Sequence, residues 1–570
     1  MILVFALGVV SCEQTELDLL ADPNNPTPEQ ASLNDLYNNI QLVYRNTFNS
    51  VQGTTGALAR MYHAGAAVYL STIGPTTLNG LWNSAYADLF PDVDALLDIA
   101  EAEDGPQFDV HAGSAKVMQA YAMMTLVDVL GDVPFSEAGQ GTDIISPNAD
   151  PGASVYEAAI NLLDEAIDQM TGTNSPAPTN DFIYNGDVNK WISAAKTLKL
   201  RAAVNTRLVN PDQSRATIND LIAEGDLIDE ASEDLAFQYG TERNNPNSRH
   251  PFYNSHYEIG DGAYMSNYYM WLLIDDKEDA EDNDVRDPRL RFYFYRKVDD
   301  AENQDQTTYG CFLSNLPDQS AKPDHWDAVD PDLNYCYASA DGYIGRDHLN
   351  PEGIPPDGPI RTSYGLYPGG GQFDFDQFED TRQRGTTGGL GAGILPIMLS
   401  SFTDFMRAEA ALTLGTNDDA RALLESGIRN SIDKVHSFKN LVPSTMSQQV
   451  ELRDGSIGTV EELFVPDQEE IDAYVNLVLS NYDAAGTDEE RLAIVIKEYY
   501  IAAWGNGLEA YNMYRRTGYP DNMQPALSVD PGDFATRYFR PLNWIDRNQN
   551  ASQQEITGRV FWDNGSANVY

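Results

Sequence analysis

The aromatic side chains come first, because this 570-residue sequence carries 31 Tyr, 21 Phe and 7 Trp. Rings held on loops beside amides, carboxylates and a guanidinium can stack on the apolar faces of sugar rings while the polar groups take the hydroxyls. Trp326, in KPDHWDAVDP, is flanked by polar and turn residues and has no apolar stripe to join. Tyr335, Tyr337 and Tyr343 share that irregular stretch with Asn334, Asp341 and Arg346. A lone exposed aromatic means little, but a loop-borne cluster of this size is a candidate ligand platform. Trp82, four residues before Tyr86 in a helical pattern, is the second candidate. Trp191 and Trp504 fall within apolar helical stripes and are expected in the core, as is Trp271 in a short predicted helix.

Catalytic signatures are missing. No GxSxG elbow, P-loop, HExxH or CxxC occurs. The GGLGAG run at 388–393 lacks the GxGxxG spacing and a preceding strand, and reads as a flexible linker. With 87 acidic residues, paired carboxylates are everywhere, so no glycosidase pair is inferred. Asp374-Phe375-Asp376 and Asp282-Asn283-Asp284 do not follow a spaced calcium loop and read as solvated acidic turns. Neither a metal nor a cofactor is expected. The 36 Lys and Arg leave a net charge of -51, which repels phosphate backbones and excludes nucleic acid. Polyanionic ligands are disfavoured by the same field unless a local basic pocket opposes it.

The chain opens MILVFALGVVSC, an apolar run too short to span a bilayer, then turns polar and acidic at once. This resembles the end of a bacterial lipoprotein signal, with Cys12 the lipid attachment site; the alternative is a fortuitous apolar start. The basic segment that should precede the apolar run is missing, which puts the true start upstream of Met1. In an exported chain the remaining two cysteines, Cys311 and Cys336, are expected to form a disulfide, with two buried thiols as the alternative.

These groups need a scaffold, and helical periodicity supplies one. Residues 1–11 read as a truncated signal peptide and 12–28 as a Pro/Asn tether. From 29 to 225 apolar residues recur at helical spacing, most clearly in 111–130, 154–170 and 190–208. Ser154 with Glu157 suggests a capping box. Between 226 and 395 helices are few (264–275), and Gly, Pro, Asn, Asp and aromatic residues crowd a loop-rich insertion. Periodicity returns at 401–414, 418–432, 468–482 and 488–504, the last capped by Thr487 with Glu490.

Several strings line up in order: the Cys12 signal, LVDVLGDVPFSEA (126–138), VYEAAINLLDEAI (155–167) and YNGDVNKWISAAKTLKLRAA (184–203). RDPRL (286–290), FMRAEAALTLG (405–415) and IAAWGNGLEAYNMYRRTGYP (501–520) follow. Together they resemble the SusD/RagB family of Bacteroidetes outer-membrane nutrient-binding lipoproteins, over nearly the whole chain. The resemblance implies a mainly α, SusD-like fold, with four tetratricopeptide-like helix pairs and a loop-rich ligand-binding region in one domain spanning 29–570. It also implies a surface-exposed, lipid-anchored protein of the outer membrane that does no chemistry. Such a protein captures oligosaccharide and delivers it to a SusC-like TonB-dependent transporter, over which it acts as a hinged lid. A peptide ligand on the same fold, or a surface glycoside hydrolase, are the alternatives. The family has no fixed ligand motif, so no binding residue is carried over by position. Read physically, Gly131–Pro134 ends a helix, Tyr184–Asp187 is a turn before one, and Gly505–Gly507 interrupts another: architectural signatures rather than ligand contacts.

Overall fold

The computed structural model describes residues 32–101, 107–244, 246–260, 262–281, 283–299, 322–333, 335, 342–351, 360–379 and 385–570. The first block holds α1 (Leu33–Leu58), α2 (Tyr69–Thr72), α3 (Asn79–Asn83), α4 (Phe90–Ala100), α5 (Asp109–Leu130), α6 (Gly152–Met170), α7 (Val188–Thr206) and α8 (Pro211–Glu224). The middle contains β1 (Leu235–Gln238), α9 (Pro251–Tyr253), α10 (Asn267–Ile274), α11 (Leu290–Tyr293), β2 (Phe294–Tyr295), β3 (Ser363–Tyr364) and β4 (Ile394–Met398). The last block has α12 (Ser400–Leu414), α13 (Ala420–His436), α14 (Pro443–Met446), β5 (Gln449–Glu451) and β6 (Ile457–Thr459). It ends with α15 (Val460–Phe464), α16 (Gln468–Ala484), α17 (Asp488–Ala502), α18 (Gly507–Thr517) and α19 (Leu542–Ile545).

Consecutive helices pack as pairs, α5 on α6, α7 on α8, α12 on α13 and α16 on α17. The fold is mainly α and built in the tetratricopeptide-like manner. The strands form three two-stranded antiparallel ribbons, β1–β4, β2–β3 and β5–β6. One contiguous apolar core runs from Leu36 to Trp562 and contains Trp191, Trp271 and Trp504. No helix among the described residues is long and apolar enough to cross a membrane.

Local chemistry explains most boundaries. Thr487 and Glu490 make the expected reciprocal cap on α17. The Asp187 side chain caps α7, and α5 stops at Gly131, whose φ of 81° suits a residue without a Cβ. Ser154 does not cap α6: that helix already begins at Gly152, and Ser154 Oγ donates to Pro151 O at 2.8 Å. Nor is 388–393 a linker. Gly389 and Gly391 donate backbone hydrogen bonds to Gly371 O and Gly370 O, at 3.0 Å each. The two backbones lie so close that a Cβ on Gly388 would stand 2.1 Å from Gly371 O, and one on Gly393 2.0 Å from Pro368 O.

The interior also holds buried charge, and the strings quoted above converge on it. Asp128 of LVDVLGD accepts from Arg201 Nη2 at 2.8 Å, Asn512 Nδ2 at 2.9 Å and Trp562 Nε1 at 2.9 Å, and also from the Tyr156 hydroxyl. Arg201 also pairs with Glu509. Glu409 of FMRAEAALTLG accepts from Arg207 Nε at 3.0 Å and from Arg516 Nε and Nη2 at 2.8 Å each. In RDPRL, Asp287 and Arg289 pair at 2.6 Å beside Glu498 and Tyr474. Removing one partner of such a pair leaves an uncompensated buried charge, which costs about 3–5 kcal/mol. Those motifs therefore hold the helix pairs together.

Candidate functional site

The expected aromatic surface around Trp326 is not formed. The Trp326 ring is 0% exposed and its Nε1 donates to Ala526 O at 3.0 Å. Its neighbourhood has no stripe of its own, but the ring joins the single apolar core, and its indole acceptor comes from the C-terminal tail, 200 residues on. Tyr335 is half-buried against Trp326, ring centroids 6.1 Å apart. Tyr343 is buried beneath the Arg296 guanidinium, 4.9 Å from its ring centroid. Arg346 is itself buried over Tyr264, also at 4.9 Å, and so offers no open guanidinium. Asn334, Tyr337 and Asp341 lie outside the described residues, as do Cys12, Cys311 and Cys336.

The acidic turns resolve similarly. Asp374, buried, pairs with Arg296 at 2.8 Å and is neutralised rather than solvated, whereas Asp376 pairs with Arg291 at 2.9 Å and stays exposed. Asp282 lies outside the described residues, and Asn283 folds back onto Asp279. Among the described residues no group of three His, Cys, Asp or Glu could hold a metal.

Trp82 does sit in a cleft. Helices α3 and α4 run on through a π-helical turn at Ser84–Leu89, in which the Phe90 N–H reaches back five residues to Ala85 O. Pro91 follows; having no N–H, and a ring that crowds the carbonyl four residues back, it is accommodated by the wider turn. Trp82 precedes that turn and Tyr86 lies in it, ring centroids 4.2 Å apart and planes tilted by 33°. Trp544 of α19 stacks on Trp82 at 4.7 Å, with planes 8° apart. Three hydrogen bonds hold α19 there: Leu542 N–H to Pro75 O at 2.9 Å, Asn543 N–H to Asn79 Oδ1 at 3.2 Å, and Asn543 Nδ2 to Asn83 Oδ1 at 3.1 Å.

The opposite wall is the connection between α5 and α6. Pairs of this kind are usually joined by a few residues, so a stretch from 131 to 151 is long. It is nonetheless braced. The Asp150 N–H donates to Val133 O at 2.9 Å, and the Asp150 carboxylate takes the Phe135 N–H at 2.7 Å and the Ser136 N–H at 2.9 Å. Partial burial raises the Asp150 pKa, but the donors of Ser136 and Phe135 outweigh it and hold the group below its ordinary value. The Tyr86 hydroxyl donates to Pro134 O at 2.6 Å, and Asn548 Nδ2 to Pro147 O at 2.7 Å, tying the loop to both aromatic helices. Burial, with Asp150 adding to it, pushes the Tyr86 hydroxyl far above its usual range, so it stays protonated and donating.

The result is an open cleft of about 470 Å³. Its floor is the Tyr86–Trp82–Trp544 ring stack, its rim the exposed Ile144 and Ile145, and its polar groups include Asn83, Gln140 and Arg547. A second groove of about 410 Å³ between α6, α7 and α8 has one edge-on ring pair, Tyr156–Phe561, and no stacked rings. The first cleft has the features of a small-ligand site: concave, largely apolar, with a few placed polar groups. Trp544 and Arg547 were not singled out in the sequence, because α19 is four residues long and shows no period; Trp82 and Tyr86 were, by their spacing.

Comparison with known proteins places the chain and its fold. Residues 24–332 match a family model described as "Starch-binding associating with outer membrane", and residues 394–568 match one described as "Susd and RagB outer membrane lipoprotein". No curated protein matches the chain in sequence. Among solved structures, a chitin-binding protein superposes with a TM-score of 0.64 at 19% identity, covering 93% of this chain and 100% of its own. A chitin-binding SusD homologue from Flavobacterium johnsoniae gives 0.60 at 17%, covering 94% and 99%. A SusD/RagB family protein from Bacteroides thetaiotaomicron gives 0.63 at 18%, covering 94% and 100%. The four-pair helical scaffold, the buried motif residues and the matches along both halves agree: this chain belongs to the SusD/RagB family.

Proposed function

We propose that the protein is a glycan-binding lipoprotein of the outer-membrane surface, anchored through Cys12, which captures oligosaccharide in the Trp82 cleft and hands it to a SusC-like TonB-dependent barrel. It binds and does no chemistry. The observation that carries this reading is the preassembled ring stack of Tyr86, Trp82 and Trp544 along the cleft. A ring array already ordered by packing loses little conformational freedom when a sugar docks, so its contacts convert into affinity with little ordering cost. The chitin-binding names of two similar structures point the same way.

Calorimetry with neutral chito-oligosaccharides and malto-oligosaccharides tests it. Truncating a central aromatic in a binding patch commonly costs about 2 kcal/mol, roughly thirtyfold in affinity. Trp82→Ala, verified as folded by circular dichroism, should therefore bind at least tenfold more weakly. Full affinity in that variant would remove the cleft from the argument. Membrane fractionation of the complete reading frame, salt-washed, tests the anchor: a protein recovered wholly in the soluble fraction would exclude it.

A further inference from the structure

The polar side of the cleft is one-sided. None of the residues lining it is acidic, in a chain whose acids outnumber its bases 87 to 36. Asp88, Glu137, Asp143 and Asp546 adjoin the lining in sequence without joining it, and Glu137 accepts from Asn148. Arg547, exposed at the cleft wall, has no carboxylate within ion-pairing distance among the described residues, and neither have Arg537 and Arg540 nearby in the chain. The Arg540 guanidinium lies over the Trp544 ring, 4.9 Å from its centroid, and its Nη1 is used by Ser552 O at 2.9 Å. Two buried donors beside the stack then have no acceptor among the described residues: Trp544 Nε1, on a ring only 3% exposed, and Arg540 Nε. Buried donors are normally satisfied, and Trp544, unlike Arg540, lines the cleft together with the exposed Arg547, so an acceptor in the cleft would meet both groups. The cleft lining thus carries an exposed guanidinium and an indole donor but no carboxylate, against the sign of the rest of the molecule.

From this we infer that the cleft selects glycans carrying an anionic substituent, a uronate carboxylate or a sulfate ester, which Arg547 and the Trp544 indole donor receive while the sugar rings meet the aromatic stack. The inference rests on the proposed glycan-binding function and narrows its substrate class. Guanidinium groups suit both anions, since their N–H pairs match two oxygens at once. Partial burial lowers the pKa values of Arg537 and Arg540, opposed in part by Asp132 at both and by Glu555 at Arg537, while Arg537 lowers that of Arg540 further. The charge of -51 sets a long-range barrier to such ligands. At about 0.15 M salt the screening length is about 8 Å, and distant acids are largely muted while a contact pair is not.

The test uses matched probes at that salt: oligogalacturonides and their methyl esters, and sulfated carrageenan oligosaccharides and their desulfated counterparts, with chito-oligosaccharides as a neutral series. The ester retains a carbonyl acceptor and loses only the charge. One acid series should bind at least tenfold tighter than its neutral counterpart, and the series that does so identifies the anion. That ratio should collapse toward one in Arg547→Gln and return in Arg547→Lys. If neutral oligosaccharides bind, depend on Trp82, and are bound as tightly as both anionic series, the inference is overturned and the glycan-binding reading stands. If no oligosaccharide of any series binds, both fall.

Discussion

Two carboxylates five residues apart on α12 should respond to pH with opposite signs, and Asp404 makes the more demanding case. Its side chain is only 5% exposed and accepts from two neutral donors, Ser426 Oγ and Asn430 Nδ2, at 2.8 Å each. The nearby Arg407 is held by Asp418 through hydrogen bonds of 2.9 and 2.8 Å. Burial therefore dominates, against the lowering by those donors and by Arg407, and pushes the Asp404 pKa from 3.8 up to about 6. Because the folded state then holds the proton more tightly than the unfolded chain, stability falls as pH rises through that window. At about 1.4 kcal/mol per unit, the loss between pH 4 and pH 7 is about 3 kcal/mol. Asp404→Asn keeps the shape and an acceptor oxygen but has no proton to lose. Its amide hydrogens introduce a cost of about 1–3 kcal/mol if they find no acceptor, but that cost does not depend on pH. The informative quantity is the difference in unfolding free energy between variant and parent, from urea denaturation at half-unit steps from pH 4 to 7.5. It should move by about 3 kcal/mol in favour of the variant as pH rises. A difference that stays constant over the range would refute the assignment.

Glu409 should behave in the opposite sense: burial raises its pKa, but Arg516 and Arg207 together hold it below its ordinary 4.5, so its contribution is present at neutral pH and is lost as the carboxylate protonates in acid. Glu409→Gln should cost about 3–5 kcal/mol at pH 7 by urea denaturation, with the deficit shrinking below pH 4.5; an unchanged midpoint would show that the two arginines find other partners. Trp326→Ala should lower stability by about 3–5 kcal/mol and leave oligosaccharide affinity intact, the pattern of a core residue. A loss of affinity with an unchanged Tm would return the ligand platform to that segment.

Much of the scaffold is written in local periodicity, and the reason is visible residue by residue. Trp191 lies in a helix long enough to show a stripe, and Trp504 continues the stripe of α17 in the turn just past that helix's last residue, Ala502; both are buried, so pattern and burial coincide. Thr487 and Glu490 act on backbone groups within three residues, so that cap too was legible. Trp326 fails for the complementary reason: its indole acceptor is Ala526 O, 200 residues on, which no window around 326 contains. Trp544 is invisible for lack of length, since one turn of helix has no period, and its position depends on hydrogen bonds to Pro75, Asn79 and Asn83, more than 450 residues earlier. The glycine clasp at 388–393 reads as a linker because composition reports the absence of side chains, and the structure uses that absence for close backbone contact.

The division between what the motifs do and what the cleft does follows from the same physics. Asp128, Arg201, Glu409, Glu509, Asn512 and Arg516 are buried groups whose charges and donors must be matched by one another, so each constrains the identity of the next. That mutual constraint makes a recognisable string. The cleft draws on those strings only at Pro134 and Ala138; its rings and its arginine come from α3, the π-helical turn and the tail, where neutral hydrogen bonds and ring stacking replace buried ion pairs. A substitution at Ile145 or Arg547 would alter what the cleft accepts without leaving a buried charge unmatched, whereas one at Asp128 would strip four donors of their acceptor. The scaffold is therefore legible as a family, while the proposed ligand class rests on the shape and charge of the cleft alone.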